Sequence, residues 1–145
     1  MASAPLAQRL SIITIAVNNL DESRTFYNEV FGWTPDEADE AEAANIAFYS
    51  LNGFKLALYP LASFAEEHGA EVTPPNGFTL AFNVNSQQEV DDIFARFAQH
   101  NVRVLKAPEK VFWGGYSGYI AGPSGEQWEI AFNPYTQVNV DGTFG

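Results

Sequence analysis

The chain contains no cysteine. That excludes thiol nucleophiles, disulfide frameworks and any cysteine-bound zinc. Imidazole is almost as scarce: His68 and His100 are the only histidines, too few for a His-rich metal site within one chain. Basic residues are outnumbered, 7 Lys+Arg against 18 Asp+Glu, for a formal net charge of −11. Such a balance repels phosphate backbones and anionic lipid, so nucleic acid and membrane surfaces are poor partners. Apolar runs end after a handful of residues, far short of a membrane span, and Met1–Arg9 lacks the apolar centre of a signal peptide. A reducing, cytoplasmic setting is the expectation. Material for an interior is plentiful: 46% of the 145 residues are hydrophobic and 14% aromatic, enough for one well-filled domain.

The chain repeats itself. Ser11–Val17 is a β-branched strand, followed by a capping box at Asn19–Glu22 and an apolar stripe at Ser23, Phe26, Tyr27 and Val30 with helical spacing. Gly32 ends that helix. Sixty-seven positions later, Phe78–Val84 reads as a strand, Ser86–Glu89 as a second capping box, and Val90, Ile93, Phe94 and Phe97 as the same stripe. Asn101 is placed to close that helix. The later parts correspond at an offset of 72. Asn45–Leu51 and Phe54–Tyr59 form a hairpin around Asn52-Gly53, and Tyr116–Ala121 and Gln127–Phe132 form its partner. Val102–Lys106 supplies a further strand, with a weaker counterpart near Thr34–Asp36. Each half therefore reads βαβββ. Leu61–His68 is a short helix closed by Gly69, Val72–Gly77 a linker, and Asp36–Glu42 a solvated acidic loop.

The fold class expected is α+β: two tandem βαβββ modules, residues 10–71 and 78–134, forming a curved sheet around a central cleft with the helices outside. Residues 135–145 make a C-terminal tail. Strand alternation sorts the side chains. Ile13, Ile15, Val17, Leu56, Leu58, Leu80, Phe82, Val84, Trp128, Ile130 and Phe132 pack under the helices. Ile12, Thr14, Ala16, Lys55, Ala57, Tyr59, Thr79, Ala81, Asn83, Gln127, Glu129 and Ala131 look into the cleft. Whether the two halves pair within one chain or between two stays open.

Two stretches, Ile15–Gly32 and Gly122–Pro134, resemble the vicinal oxygen chelate superfamily, which includes glyoxalase I, bleomycin-resistance proteins and extradiol dioxygenases. The likeness runs from about Ile12 to Pro134. It implies a divalent metal held by one His, Gln or Glu from each of four strands. Carried over one at a time, those positions fall on Ile12, Ala57, Thr79 and Glu129. Only Glu129 keeps a ligating side chain, since Ile and Ala cannot coordinate and a neutral hydroxyl is a poor donor for Mn, Fe or Zn. No cofactor is therefore expected, and a divalent metal is not.

What remains is an aromatic-lined cleft. In Val111–Ile120 aromatics alternate with glycines, a pattern that sets flat rings on a pocket wall. Trp113, Tyr116, Tyr119, Phe48 and Tyr59 are the candidate ring walls, with Thr79, Asn83 and Gln127 as polar contacts. Glu129, a carboxylate facing an apolar space, must find a donor or hold its proton. It is the candidate ligand anchor or general acid/base. The resemblance implies a small-molecule binder, homodimeric, with its clefts near the subunit boundary. The alternative it implies is an enzyme, a glyoxalase-type lyase or isomerase or a ring-cleaving dioxygenase, working through Glu129.

Overall fold

The computed structural model describes residues 5–69 and 77–145. Most of the expected linker, residues 72–76, lies outside the described residues. In the first module β1 (Ile12–Val17) pairs in parallel with β3 (Lys55–Pro60), which pairs antiparallel with β2 (Ala47–Ser50). In the second, β4 (Leu80–Val84) pairs in parallel with β7 (Gln127–Phe132), which runs antiparallel to β6 (Tyr116–Ala121), itself antiparallel to β5 (Arg103–Lys110). The strand orders are β1-β3-β2 and β4-β7-β6-β5. The duplication is visible in the registers. Thr14 lies opposite Ala57 as Ala81 lies opposite Glu129, which reproduces both sequence offsets.

Helix boundaries follow local chemistry. The Asn19 side chain accepts from the Glu22 amide (2.9 Å) at the start of α1 (Leu20–Thr25). The Ser86 hydroxyl accepts from the Glu89 amide (3.1 Å) at the start of α4 (Gln87–Gln99). In the second box the Glu89 carboxylate reaches back to the Asn85 amide, one residue further than expected. Between α1 and α4 in the chain come α2 (Glu40–Ala43), inside the expected acidic loop, and α3 (Leu61–His68), which ends at Gly69 as read from the sequence. Asn101 takes a left-handed φ of 54° after α4, the conformation that suits Asn at a helix end.

Three local expectations change. α1 does not run on as an α-helix to Gly32 but widens into a π-helical turn over Phe26–Val30. No strand forms near Thr34–Asp36; the Asp36 amide bonds the Phe48 carbonyl (2.8 Å) and its carboxylate takes Ser50 and Lys55. At Asn52-Gly53 only the glycine adopts a positive φ, so this is not the turn that needs two such residues. The Asn52 amide instead donates to the Asp141 carbonyl.

α1 packs on β3, and α4 on the second sheet. The helix-covered faces of both modules meet in one core of Ile15, Val17, Tyr27, Leu56, Leu58, Val90, Phe97, Ile120, Trp128 and Ile130. Rings stitch the junction: Phe31 stacks on Phe97 (5.9 Å) and meets Trp128 edge-on (5.1 Å). Arg96 of α4 crosses to donate to the carbonyls of Val30 (2.7 Å) and Glu29 (3.1 Å), which the π-turn leaves free. Among the described residues the two sheets share no hydrogen-bonded ladder, so β1 and β4 are edge strands, with β2 and β5 at the opposite edges. The chain beyond β7 folds into a hairpin closed by a Val138–Phe144 bridge and held by Asn85, whose side chain bonds the Val138 amide and carbonyl (2.9 Å each). Among the described residues no helix is long and apolar enough to cross a membrane.

Candidate functional site

Cross-strand register fixes which residues share the face opposite α1 and α4. In the second sheet one row runs Ala81, Glu129, Tyr119, Lys106, and the next holds Gln127 and Ala121, with Thr79 one step before β4. In the first sheet Phe48, Ala57 and Thr14 form a row, flanked by Ser50, Lys55 and Ile12 on one side and by Tyr59 and Ala16 on the other. The alternation read from the sequence is therefore preserved in both sheets.

The most chemically loaded contact on this face joins two of the candidate residues. The Tyr119 hydroxyl donates to Glu129 Oε2 at 2.9 Å, and that bond holds the phenol above its ordinary pKa. Tyr119 thus keeps its proton at neutral pH. Among the described residues no cation pairs with Glu129: Lys106, next in its row, bonds Glu109 (2.7 Å), and Lys55 bonds Asp36 (2.6 Å). Both carboxylates and ammoniums sit in solvent there, so these pairs contribute little to stability.

The other candidates divide. Phe48 and Tyr59 lie on the first sheet's corresponding face, Phe48 beneath the Lys55 ammonium (5.8 Å to the ring). Tyr59 bonds Glu67 of α3, which raises its pKa and ties it to that helix. Thr79 and Gln127 are exposed and Asn83 half-buried on the second sheet. Tyr116 belongs to the opposite face: it pairs with Phe132, and its hydroxyl donates to Asp91 of α4 (2.6 Å). The alternation runs from Tyr119, and Tyr116 is an odd number of residues away. Trp113 lies in the β5–β6 turn, its ring laid over Gly115 so closely that a side chain there would collide with it. Of these candidates Thr79 and Asn83 line the groove described below.

The four metal positions implied by the resemblance occupy matching places, yet they present an exposed sec-butyl group at Ile12, a buried methyl at Ala57, a hydroxyl at Thr79 and one carboxylate at Glu129. That donor set does not fit a divalent metal. Among the described residues no cluster of three His, Asp or Glu side chains occurs. His68 stacks on Phe64 (4.1 Å) with its ring nitrogen on the Phe64 carbonyl, and His100 follows α4 in solvent.

A second hollow was not foreseen. A groove of about 1010 Å³ lies at the module junction, walled by Trp33, Tyr49, Phe54, Phe82, Trp128 and Phe144 and edged by Thr79 and Asn83. Of its rings, Phe82 and Trp128 were read as packing under the helices, Trp33, Tyr49 and Phe54 were assigned no role, and Phe144 belongs to a C-terminal hairpin that carries no motif.

The family model described as Glyoxalase/Bleomycin resistance protein/Dioxygenase superfamily matches residues 9–130. A glyoxalase-related enzyme from Fulvimarina pelagi is 35% identical and superposes with a TM-score of 0.87 over 96% of this chain and 98% of that one. A glyoxalase/bleomycin resistance protein/dioxygenase from Nocardioides is 24% identical, with a TM-score of 0.71 over 91% of this chain and 85% of that one. Lactoylglutathione lyase from Agrobacterium tumefaciens is 20% identical, with a TM-score of 0.67 over 89% and 96%. The last two likenesses show the fold alone. No curated protein matches the sequence.

Proposed function

Since the chain belongs to the glyoxalase/bleomycin resistance protein/dioxygenase superfamily, we propose that it binds a small organic molecule on the sheet face around Tyr119 and Glu129, without a metal ion. The observation that carries this reading is the donor set: three of the four metal positions are Ile12, Ala57 and Thr79, and the fourth, Glu129, has its Oε2 engaged by Tyr119. In this role Glu129 accepts from an N–H or O–H of the ligand, while Tyr119 fixes the carboxylate's direction. The excess of 18 acidic over 7 basic residues favours a cationic or neutral guest over an anionic one, an effect that salt screens.

A second copy of the chain completes the cleft in this proposal, making the working unit a homodimer. Two features support it. β1 and β4 are edge strands, which proteins ordinarily pair or cover. The face opposite the helices also leaves Ile12 in solvent, 47% exposed beside that β1 edge.

A thermal-shift screen of metabolites and antibiotics in the presence of chelator tests the proposal, because a ligand that binds only the folded chain raises the midpoint. The expected result is a hit whose shift shrinks in Glu129→Gln and Tyr119→Phe. Hits that need added metal, or that ignore both substitutions, would overturn it. A catalytic reading draws on the same Tyr119–Glu129 bond and on the naming of the Fulvimarina pelagi relative as an enzyme. Its signature is turnover abolished by Glu129→Gln with binding intact.

A further inference from the structure

Neither Tyr119 nor Glu129 lines the groove at the module junction, although Ala81, opposite Glu129 in the sheet, does. Among the described residues none that lines the groove is charged, although the chain carries 18 acidic and 7 basic side chains. Its floor is made of rings already fixed by packing. Trp33 and Trp128 meet edge to face at 5.8 Å, and Tyr49 closes against Trp33 at 6.2 Å. Trp128 and Tyr49 are buried, so their positions are set before any guest arrives.

Solvent-exposed rings stand above that floor. Phe82 from the β4 edge is 41% exposed and Phe144 from the C-terminal hairpin 55% exposed, on apolar surface that water covers at a cost. Thr34, Thr79 and Asn83 set hydroxyl and amide groups along the rim. The hairpin wall is tied to both modules, through Asn52 to the Asp141 carbonyl and through Asn85 to Val138. At about 1010 Å³ the groove is at the upper end of the size range of small-molecule sites, and rigid rings with a few polar groups are the usual lining of such sites.

We infer that this groove is a second binding site, for a neutral, flat, ring-bearing molecule with hydrogen-bonding groups at its margin. A charged guest would leave water without a counter-charge to receive it. A flat neutral one stacks between Phe144 and the Trp33–Trp128 floor while its polar edge meets Thr79 and Asn83. This site is built on Trp33, Trp128 and Phe144 rather than on Glu129, and it shares only rim residues of β4 and its approach with the face proposed above.

Nile red, neutral and planar, is the probe, read by energy transfer from tryptophan. The chain has three tryptophans, and both that remain in a Trp113→Phe variant line the groove. The expected result is saturable transfer in that background at one probe per chain, and no comparable binding of the anionic anilinonaphthalene sulfonate. Phe144→Glu, which sets a charge on the exposed wall, raises the probe's Kd about tenfold or more, and Asn83→Asp raises it less. Glu129→Gln leaves it unchanged, which separates failure of this inference from failure of the other site. Absence of saturable transfer, indifference to Phe144→Glu, or loss in Glu129→Gln overturns it. So does binding that falls as protein concentration rises, because a second copy then occupies the groove.

Discussion

Glu126 is 2% exposed and sits where the two modules touch. Its Oε2 accepts from the Tyr27 hydroxyl (2.9 Å) and its Oε1 from the Ser124 amide (2.9 Å), while the Trp128 indole donates to the same Tyr27 oxygen (3.0 Å). One phenol therefore joins β7 and the turn before it to the π-turn of the first module. Tyr27→Phe removes both bonds and leaves a buried carboxylate oxygen and an indole N–H unpaired. The expected loss is about 2–4 kcal/mol, measured by urea unfolding with an unchanged m-value. Burial raises the Glu126 carboxyl above its ordinary 4.5, against the opposing pull of the Tyr27 and Ser124 donors. A group with a raised folded pKa gives stability that is complete below its unfolded pKa and lost as pH rises through the folded one. Asp36 and Asp141 are shifted the other way, below 3.8, so their contributions fall away only at lower pH. As pH rises above the ordinary Glu value of 4.5, the wild-type melting temperature should therefore fall more steeply than that of Glu126→Gln. Parallel curves would show that the Glu126 proton is not linked to folding. This residue was illegible in the sequence because a charged side chain in a Pro-Ser-Gly turn reads as solvated. Glu129, the carboxylate that alternation did pick out, is the less buried of the two.

Helix ends were legible because capping is local: Asn19, Ser86, Gly69 and Asn101 each act within a few residues of themselves. The π-turn over Phe26–Val30 was not, since its free carbonyls are answered by Arg96, 66 positions away from Val30. Arg96 lies off the apolar stripe of Val90, Ile93, Phe94 and Phe97, so that period does not mark it. Arg96→Ala should destabilise by about 1–2 kcal/mol, and Arg96→Lys should recover less than half, because one ammonium cannot span two carbonyls as the guanidinium does. Equilibrium unfolding of the two variants checks this; equal stabilities would place the effect in lost packing. The missing strand near Thr34–Asp36 follows the same logic. Asp36 meets Phe48, Ser50 and Lys55 through side-chain and single backbone bonds, contacts that no period in the sequence announces.

At the scale of the molecule, the internal duplication, strand alternation and family likeness sufficed for the architecture, since each is written as a repeat. What they did not contain is how the halves meet: a shared aromatic core on the helix side, no ladder between the described strands of the two sheets, and a groove whose walls come from widely separated segments. If the edge strands β1 and β4 serve a second copy, sedimentation should give twice the 16.0 kDa chain mass, and a Thr14→Pro edge variant should shift it toward the monomer. A monomer at all concentrations would remove that part of the account. We propose that this member of the superfamily acts without a divalent metal. The direct measurement is elemental analysis of protein produced with Mn, Fe, Ni and Zn supplied and then freed of loosely held ions. With Ile12, Ala57 and Thr79 in place of ligands, the account predicts well under about 0.1 metal per chain. One tightly held divalent ion per chain, lost on Glu129→Gln, would contradict it.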